Sequence, residues 1–451
     1  MNAMTDTPET LTQALLDAAR RAGADAADAL VIEGTALSVD VRGGQLEQAE
    51  RSEGLDLGLR VFIGQRQACV SSSDARPQTL AAMAERAVAM AREAPEDRWA
   101  GLADVAQLSV RRDAEGLELH DPAPEPAPEA LQEDARRAEA AALAVRGISK
   151  VDSASAGYGQ RQVHIAASNG FSGGYRRSSR MISCVAITGE GTLMERDWAS
   201  EGRIFQADLP DAESIGRLAG ERTVARAGAR KPPSGAFPVL YDERIAGSLI
   251  GHLAAAINGS TIARGSSWLR DALDTPVLPA GMELIEDPHR RRISGSRPFD
   301  AEGLATARRV WVADGVLKGW VLDLASARKL GLQSTANASR GPAAPPSPSL
   351  SNLALTQGPR SRAELLREMG RGLLVTSLIG ATINPTTGDY SRGASGFWVE
   401  GGEIAYPVNE CTIAGNLRDM LQRLTPANDA RGHLSHVVPS LLVEGLTLAG
   451  A

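Results

Sequence analysis

Residues 384–417, NPTTGDYSRGASGFWVEGGEIAYPVNECTIAGNL, constrain the fold more than any other stretch. Phe397 to Glu400 and Glu403 to Tyr406 flank Gly401-Gly402. That glycine pair is free to take the positive φ of a two-residue turn, so the spacing predicts a β-hairpin. Asn416 then reads as a helix N-cap, with Asp419 three residues on. Leu417, Met420, Leu421 and Leu424 follow at i, i+3, i+4 and i+7, one apolar helix stripe. Strand, tight turn, strand and helix in this order call for a sheet with a helix packed against it.

The remainder carries the same two periods. Thr7-Pro8-Glu9 marks a helix start, and Leu11, Ala14, Leu15 and Ala18 line one face. Leu37, Val39 and Val41 alternate with Ser38, Asp40 and Arg42, as do Leu55, Leu57, Leu59, Val61 and Ile63 with their neighbours. Gly43-Gly44 and Gly64-Gln65 punctuate these strands. A helix over 77–92 puts Leu80, Met83, Ala87 and Met90 on one face. Asp121 to Pro128 is a proline-rich crossing, followed by a helix over 129–145. Strands return around turns at Asn169-Gly170 and Gly173-Gly174, with Met181 to Thr188 suited to a sheet interior. A helix over 211–228 ends at the Lys231-Pro-Pro-Ser-Gly235 cluster. The order helix, strands, helix thus occurs in 1–95 and again in 129–228. Beyond it, Phe237 to Tyr241 reads as a strand and 244–257 as a helix, with mostly β structure after that. Gly341 to Pro348 is too rich in proline for a central strand. The pattern predicts an α+β protein: antiparallel strands with flanking helices in subdomains over 1–120 and 121–229, and a mostly β domain with a helix near its start over 230–451.

Composition narrows the function. The formal net charge of −7 disfavours general nucleic-acid binding. Three cysteines, far apart and without a CxxC, imply no disulfide framework. The N-terminus has neither a basic n-region nor an apolar h-region, and no apolar run approaches a membrane span. A cytoplasmic chain that binds no membrane is the expectation. There is no Walker A, no dinucleotide fingerprint and no Gly-x-Ser-x-Gly elbow.

Asp300-Ala-Glu-Gly303, Leu324-Ala-Ser-Ala-Arg328, Ser334-Thr-Ala-Asn-Ala-Ser-Arg340 and 384–417 resemble the TldD/PmbA family, and within it the PmbA (TldE) branch. The family carries the label modulator of DNA gyrase. The resemblance implies a two-lobed fold and a heterodimer with a TldD-like metalloprotease subunit. It also implies a chambered protease that accepts unfolded peptides, as in leader-peptide maturation and small-protein degradation. The active branch has His-Glu-x-x-x-His on a helix and a further cysteine ligand near the C-terminus. Here the aligned positions are Gly247, Ser248 and His252. Gly247 cannot ligate a metal, and Ser248 cannot act as the general base.

The resemblance therefore implies a chain without its own catalytic residues or cofactor, the zinc residing in the partner. His252, alone or with His433 or His436, is the remnant from which a metal site could be rebuilt, giving an independent peptidase. A homodimeric peptide- or regulator-binding protein is a further alternative. Asn384, Asp389, Ser391 and Arg392 are candidates for a substrate or interface loop. Asp287 and His289 read as loop punctuation. Trp268, Trp311, Trp320 and Trp398 are either interface or core.

Overall fold

The computed structural model describes residues 7–450. The N-terminal stretch read above as lacking a signal-peptide pattern begins in residues 1–6, which lie outside the described part, as does Ala451. α1 (Pro8–Arg21) starts where Thr7 and Thr10 cap each other's backbone amides. β1 (Ala26–Arg42), β2 (Gln45–Ile63), β3 (Arg66–Ser72) and α2 (Pro77–Glu93) follow. After the proline-rich crossing come α3 (Pro128–Leu143), β4 (Ile148–Ala167), β5 (Ser172–Thr188), β6 (Glu195–Arg203) and α4 (Ala212–Val224). The unit of helix, three strands and helix therefore occurs twice.

The six strands form one antiparallel sheet in the order β3-β2-β1-β4-β5-β6. The two units meet where β1 runs against β4, from Asp28 opposite Ala167 to Val41 opposite Ala154. Odd-numbered residues of β1 all face one side, and all four helices lie there. Ala27, Ala29 and Val31, with Leu57, Leu59 and Val61, pack under Leu11 and Leu15 of α1 and Leu80 and Met83 of α2. Leu37, Val39 and Val41, with Ala154 and Ile182, pack under Leu131 of α3 and Ile215 of α4. Each fully buried Leu or Val contributes about 1.5–3 kcal/mol relative to exposure. α3 and α4 approach so closely that a Cβ on Gly216 would stand 1.9 Å from the Ala138 carbonyl oxygen, so only glycine fits there.

Three local expectations are corrected. Met90 is exposed, and Ala84, Val88 and Ala91 join Leu80, Met83 and Ala87 on the buried face of α2. Met90 lies seven residues beyond Met83, and the 3.6-residue period carries it past the edge of the stripe. Gly173-Gly174 lies inside β5, with Gly173 opposite Ile165 and Gly174 opposite His164. A Cβ on Gly174 would meet His164 at 2.7 Å, so this glycine serves close packing rather than a turn. Leu424 belongs to a short strand, Leu424–Pro426, after the helix Leu417–Gln422 has ended. It is buried all the same.

The C-terminal domain opens with β7 (Gly235–Tyr241) and α5 (Glu243–Ala256). β7 pairs with the strands Gly372–Ile383 and Leu441–Ala449. Asp389–Glu400 and Glu403–Asn416 continue the sheet as the predicted hairpin, with Gly401 and Gly402 at φ 62° and 81°. Pairing of Thr412 to Ala414 with Thr447 to Ala449 closes the strands into a ring. Trp268, Trp311, Trp320 and Trp398 are all buried in this domain's core, not displayed at an interface. No described helix is long and apolar enough to cross a membrane. The whole is a mixed α+β fold, as the residue pattern predicts, and it has the two lobes that the resemblance implies.

The lobes join on the sheet face opposite the helices. Leu30, Ile165 and Phe171 pack against Phe299 from the C-terminal domain. Beside them the buried Asp28 carboxylate accepts from Arg60 Nε at 2.8 Å and also from Arg340, whose side chain is fully buried. Gly58 lets Pro342 approach the sheet, since a Cβ there would stand 2.5 Å from the Pro342 oxygen. Glu302 is half-buried and accepts from Leu324 N at 2.8 Å. Burial first, and then the neighbouring Asp300, push its carboxyl up to about 8, with Arg60 opposing.

Two outcomes are expected at this junction. Arg340→Met leaves Asp28 short of one cation and lowers stability by about 3 kcal/mol, read as a lower urea midpoint and faster proteolysis of the 341–348 loop. Glu302 keeps its proton when folded over the range in which an unfolded chain loses it. Stability therefore falls as pH rises from the ordinary value near 4.5 to about 8 and levels off above. Glu302→Gln flattens that fall in thermal melts recorded across the range; an unchanged slope would assign the dependence to other groups.

Candidate functional site

α5 is started by Asp242, whose carboxylate accepts from Arg244 N at 3.2 Å. Ala246, Leu249, Ile250 and Leu253 face the core. The adjoining face presents Gly247, Ser248, Gly251 and His252, each half-buried. This face meets the strands Gly372–Ile383 and Asp389–Glu400. The His252 ring sits edge-on to Tyr390, centroids 5.9 Å apart at 75°. Tyr390 in turn receives a hydrogen bond from the Tyr241 hydroxyl at 3.4 Å. Arg392 stands two residues from Tyr390 and so on the same face of its strand. Burial, and then the Arg392 charge, hold His252 below the ordinary imidazole value. The imidazole is thus neutral at physiological pH.

Ser248 Oγ, His252 Nε2 and Arg392 Nε are all buried, and none has a hydrogen-bond partner. Arg392 makes no ion pair among the described residues. A Cβ on Gly247 or on Gly251 would meet nothing within 4 Å, so the helix surface beside Ser248 and His252 is open.

A zinc ion does not fit these residues. A catalytic zinc takes three protein ligands, and this face supplies one imidazole, a hydroxyl and a guanidinium. The other histidines lie elsewhere. His433 Nε2 is 3.2 Å from Glu201 Oε2 of β6. His436 is exposed in a small sheet, opposite Leu353. Among the described residues no group of three or more His, Cys, Asp or Glu side chains is placed to hold a metal. The Cys411 thiol is buried, donates to the Ala394 carbonyl oxygen at 3.2 Å and is pushed up to about 11 by burial. His289 is a loop residue whose Nε2 lies 3.0 Å from Thr306 Oγ1.

The 384–392 segment divides in two. Asn384 and Asp389 hold an exposed turn: Asn384 Oδ1 accepts from Thr386 N at 2.9 Å, and Asp389 binds Thr387 Oγ1 at 2.6 Å and Asn416 Nδ2 at 3.2 Å. Ser391 and Arg392 belong to the following strand. Only Arg392 joins His252 and Ser248. Tyr241 and Tyr390 have no motif that singles them out, and only the closed ring of strands unites residues 149 apart in sequence. A second site with no sequence signature is a cleft of about 760 Å³ over the N-terminal sheet, with Glu33, Glu53, Asp56, His120, Arg161 and Arg176 on its walls.

Comparison with known proteins gives a consistent picture. Residues 27–91 match the PmbA/TldA metallopeptidase domain 1, residues 121–227 the central domain and residues 234–450 the C-terminal domain. The chain is 37% identical to Metalloprotease PmbA of Escherichia coli O157:H7, over 94% of this chain and 92% of that one. It is 35% identical to a Metalloprotease PmbA homolog of Haemophilus influenzae, over 96% of this chain and 94% of that one. The fold is shared with a candidate modulator of DNA gyrase from Bacteroides thetaiotaomicron, at a TM-score of 0.91 and 27% identity, covering 99% of this chain and all of that one. It is also shared with TldE from Thermococcus kodakarensis, at a TM-score of 0.83 and 20% identity, covering 98% of this chain and all of that one. With matches along nearly its whole length, the chain belongs to the PmbA/TldD metallopeptidase family.

Proposed function

We propose that this chain is the non-catalytic subunit of a cytoplasmic, two-component zinc metalloprotease that acts on unfolded peptides. The observation that carries the reading is the α5 face itself. A metallopeptidase helix needs an imidazole and a carboxylate one residue apart, the second to take a proton from metal-bound water. Gly247 offers no side chain at the first position, and Ser248 offers a hydroxyl far too weakly basic at the second. The metal and the base then belong to a TldD-like partner with His-Glu-x-x-x-His.

An unfolded peptide suits the free strand edge of the N-terminal lobe. β2 pairs with β1 along its length, but with β3 only from Leu57 to Ile63. From Gln45 to Asp56 its outer edge has no partner among the described strands, and the cleft opens beside it. Addition of a strand there reads backbone groups rather than side chains, which fits a broad range of peptide sequences.

Co-expression with a family member carrying His-Glu-x-x-x-His, followed by affinity capture and mass measurement, is expected to return the two chains in equimolar amounts. The pair is expected to degrade an unfolded peptide in a zinc-dependent way, and the pure single chain to give no hydrolysis above a zinc-free blank. Zinc-dependent hydrolysis by the pure chain that disappears in His252→Ala would overturn the reading.

A further inference from the structure

The α5 face is unsuited to a metal, yet it is not inert. Three buried polar atoms without partners lie around one spot: Ser248 Oγ, His252 Nε2 and Arg392 Nε. Such a group is costly in a folded protein unless something satisfies it. The hydroxyl and the guanidinium are hydrogen-bond donors, and a neutral imidazole donates through Nε2 in the tautomer that carries its proton there. Among the described residues no carboxylate is paired with Arg392. Tyr390, edge-on to His252, places Arg392 on the same strand face two residues away, and Ser248 stands one helical turn before His252. Gly247 and Gly251 leave the adjoining surface open.

We propose that this face binds a single carboxylate, from the C-terminus of a peptide or from an acidic side chain. The group enters over the two glycines and is held by the Arg392 fork, with Ser248 and His252 turning their donors to it. One guanidinium among neutral donors matches one negative charge, and its planar pair of N–H groups matches two carboxylate oxygens. The place where active relatives would set a cation and a base becomes an anion-holding position. The inference extends the non-catalytic reading by naming what the altered face receives. It is tested on the single chain, so its failure leaves the partner experiment untouched, and failure of that experiment leaves binding here intact.

The experiment titrates the full chain, by calorimetry and by the imidazole carbon-bound proton signals of selectively labelled histidine, with three peptides of one apolar sequence. One has a free C-terminus, one is amidated, and one is amidated with an internal glutamate. The free-acid peptide or the glutamate peptide is expected to bind about tenfold or more tighter than the plain amide, in line with a charge-assisted hydrogen bond. The stronger of the two identifies the source of the carboxylate. The His252 signal is expected to move on binding. Arg392→Gln removes the preference and the signal change, and Arg392→Lys, which keeps the charge but loses the fork, retains part of the preference. Equal binding of all three peptides, or a preference that survives intact in folded Arg392→Gln, overturns the proposal. If Arg392→Gln does not fold, Ser248→Ala with Arg392→Lys decides in the same way, an unchanged preference overturning it.

Discussion

The two lobes depend on one buried carboxylate. Asp28 sits near the start of β1 with its side chain on the face away from the helices, and it is shared by Arg60 of the neighbouring strand and Arg340 from the C-terminal domain. A charge in that position is tolerable only while it is paired and hydrogen-bonded. The pairing therefore determines where the C-terminal domain docks. The same docking brings Phe299 onto Phe171 and Tyr175, seats Pro342 on Gly58 and leaves Glu302 among other acids. A purely apolar junction would tolerate sliding, whereas a guanidinium on a buried carboxylate does not.

A second set of charges orients α5. Arg244 bridges Asp197 of β6 and Asp242, the helix cap, at 3.1 and 3.2 Å. Arg431 holds Glu243, the next residue, at 2.7 Å. The N-terminal end of α5 is thus held by the edge of the first sheet. The face bearing Gly247, Ser248 and His252 points at Tyr390 and Arg392 as a consequence. Chemistry on that face is set by what the helix carries rather than by how it is held. This is the helix on which the family resemblance sets Gly247, Ser248 and His252 at the metallopeptidase positions.

The residues alone made much of the fold legible, and for physical reasons. β1 and β2 alternate because one face meets helices, and period 2 is visible without any partner being known. Gly401-Gly402 marks its hairpin because few other residues take two positive φ angles in a row. That Gly247 offers no ligand and Ser248 no carboxylate is legible at once, since side-chain chemistry is local. Met90 and Gly173-Gly174 were misread because periodicity has no sharp edge and because a glycine serves close packing as often as turning. Three of the five orphaned or paired groups around the α5 face, Tyr241, Tyr390 and Ser248, carry no motif as donors or as ring contacts.

The sequence by itself therefore determined the element types, the doubled order of helix, strands and helix, the mixed α+β class and the absence of metal-ligating chemistry at Gly247 and Ser248. These follow from short-range period, turn geometry and the functional group each residue bears. Only the tertiary structure decided that both repeats share one sheet, that Asp28 joins the lobes through Arg60 and Arg340, and that His252 meets Tyr390 and Arg392. Those are contacts between residues more than a hundred positions apart, or between strands whose register no local pattern encodes. Their energies depend on burial, and burial exists only once the chain has closed on itself.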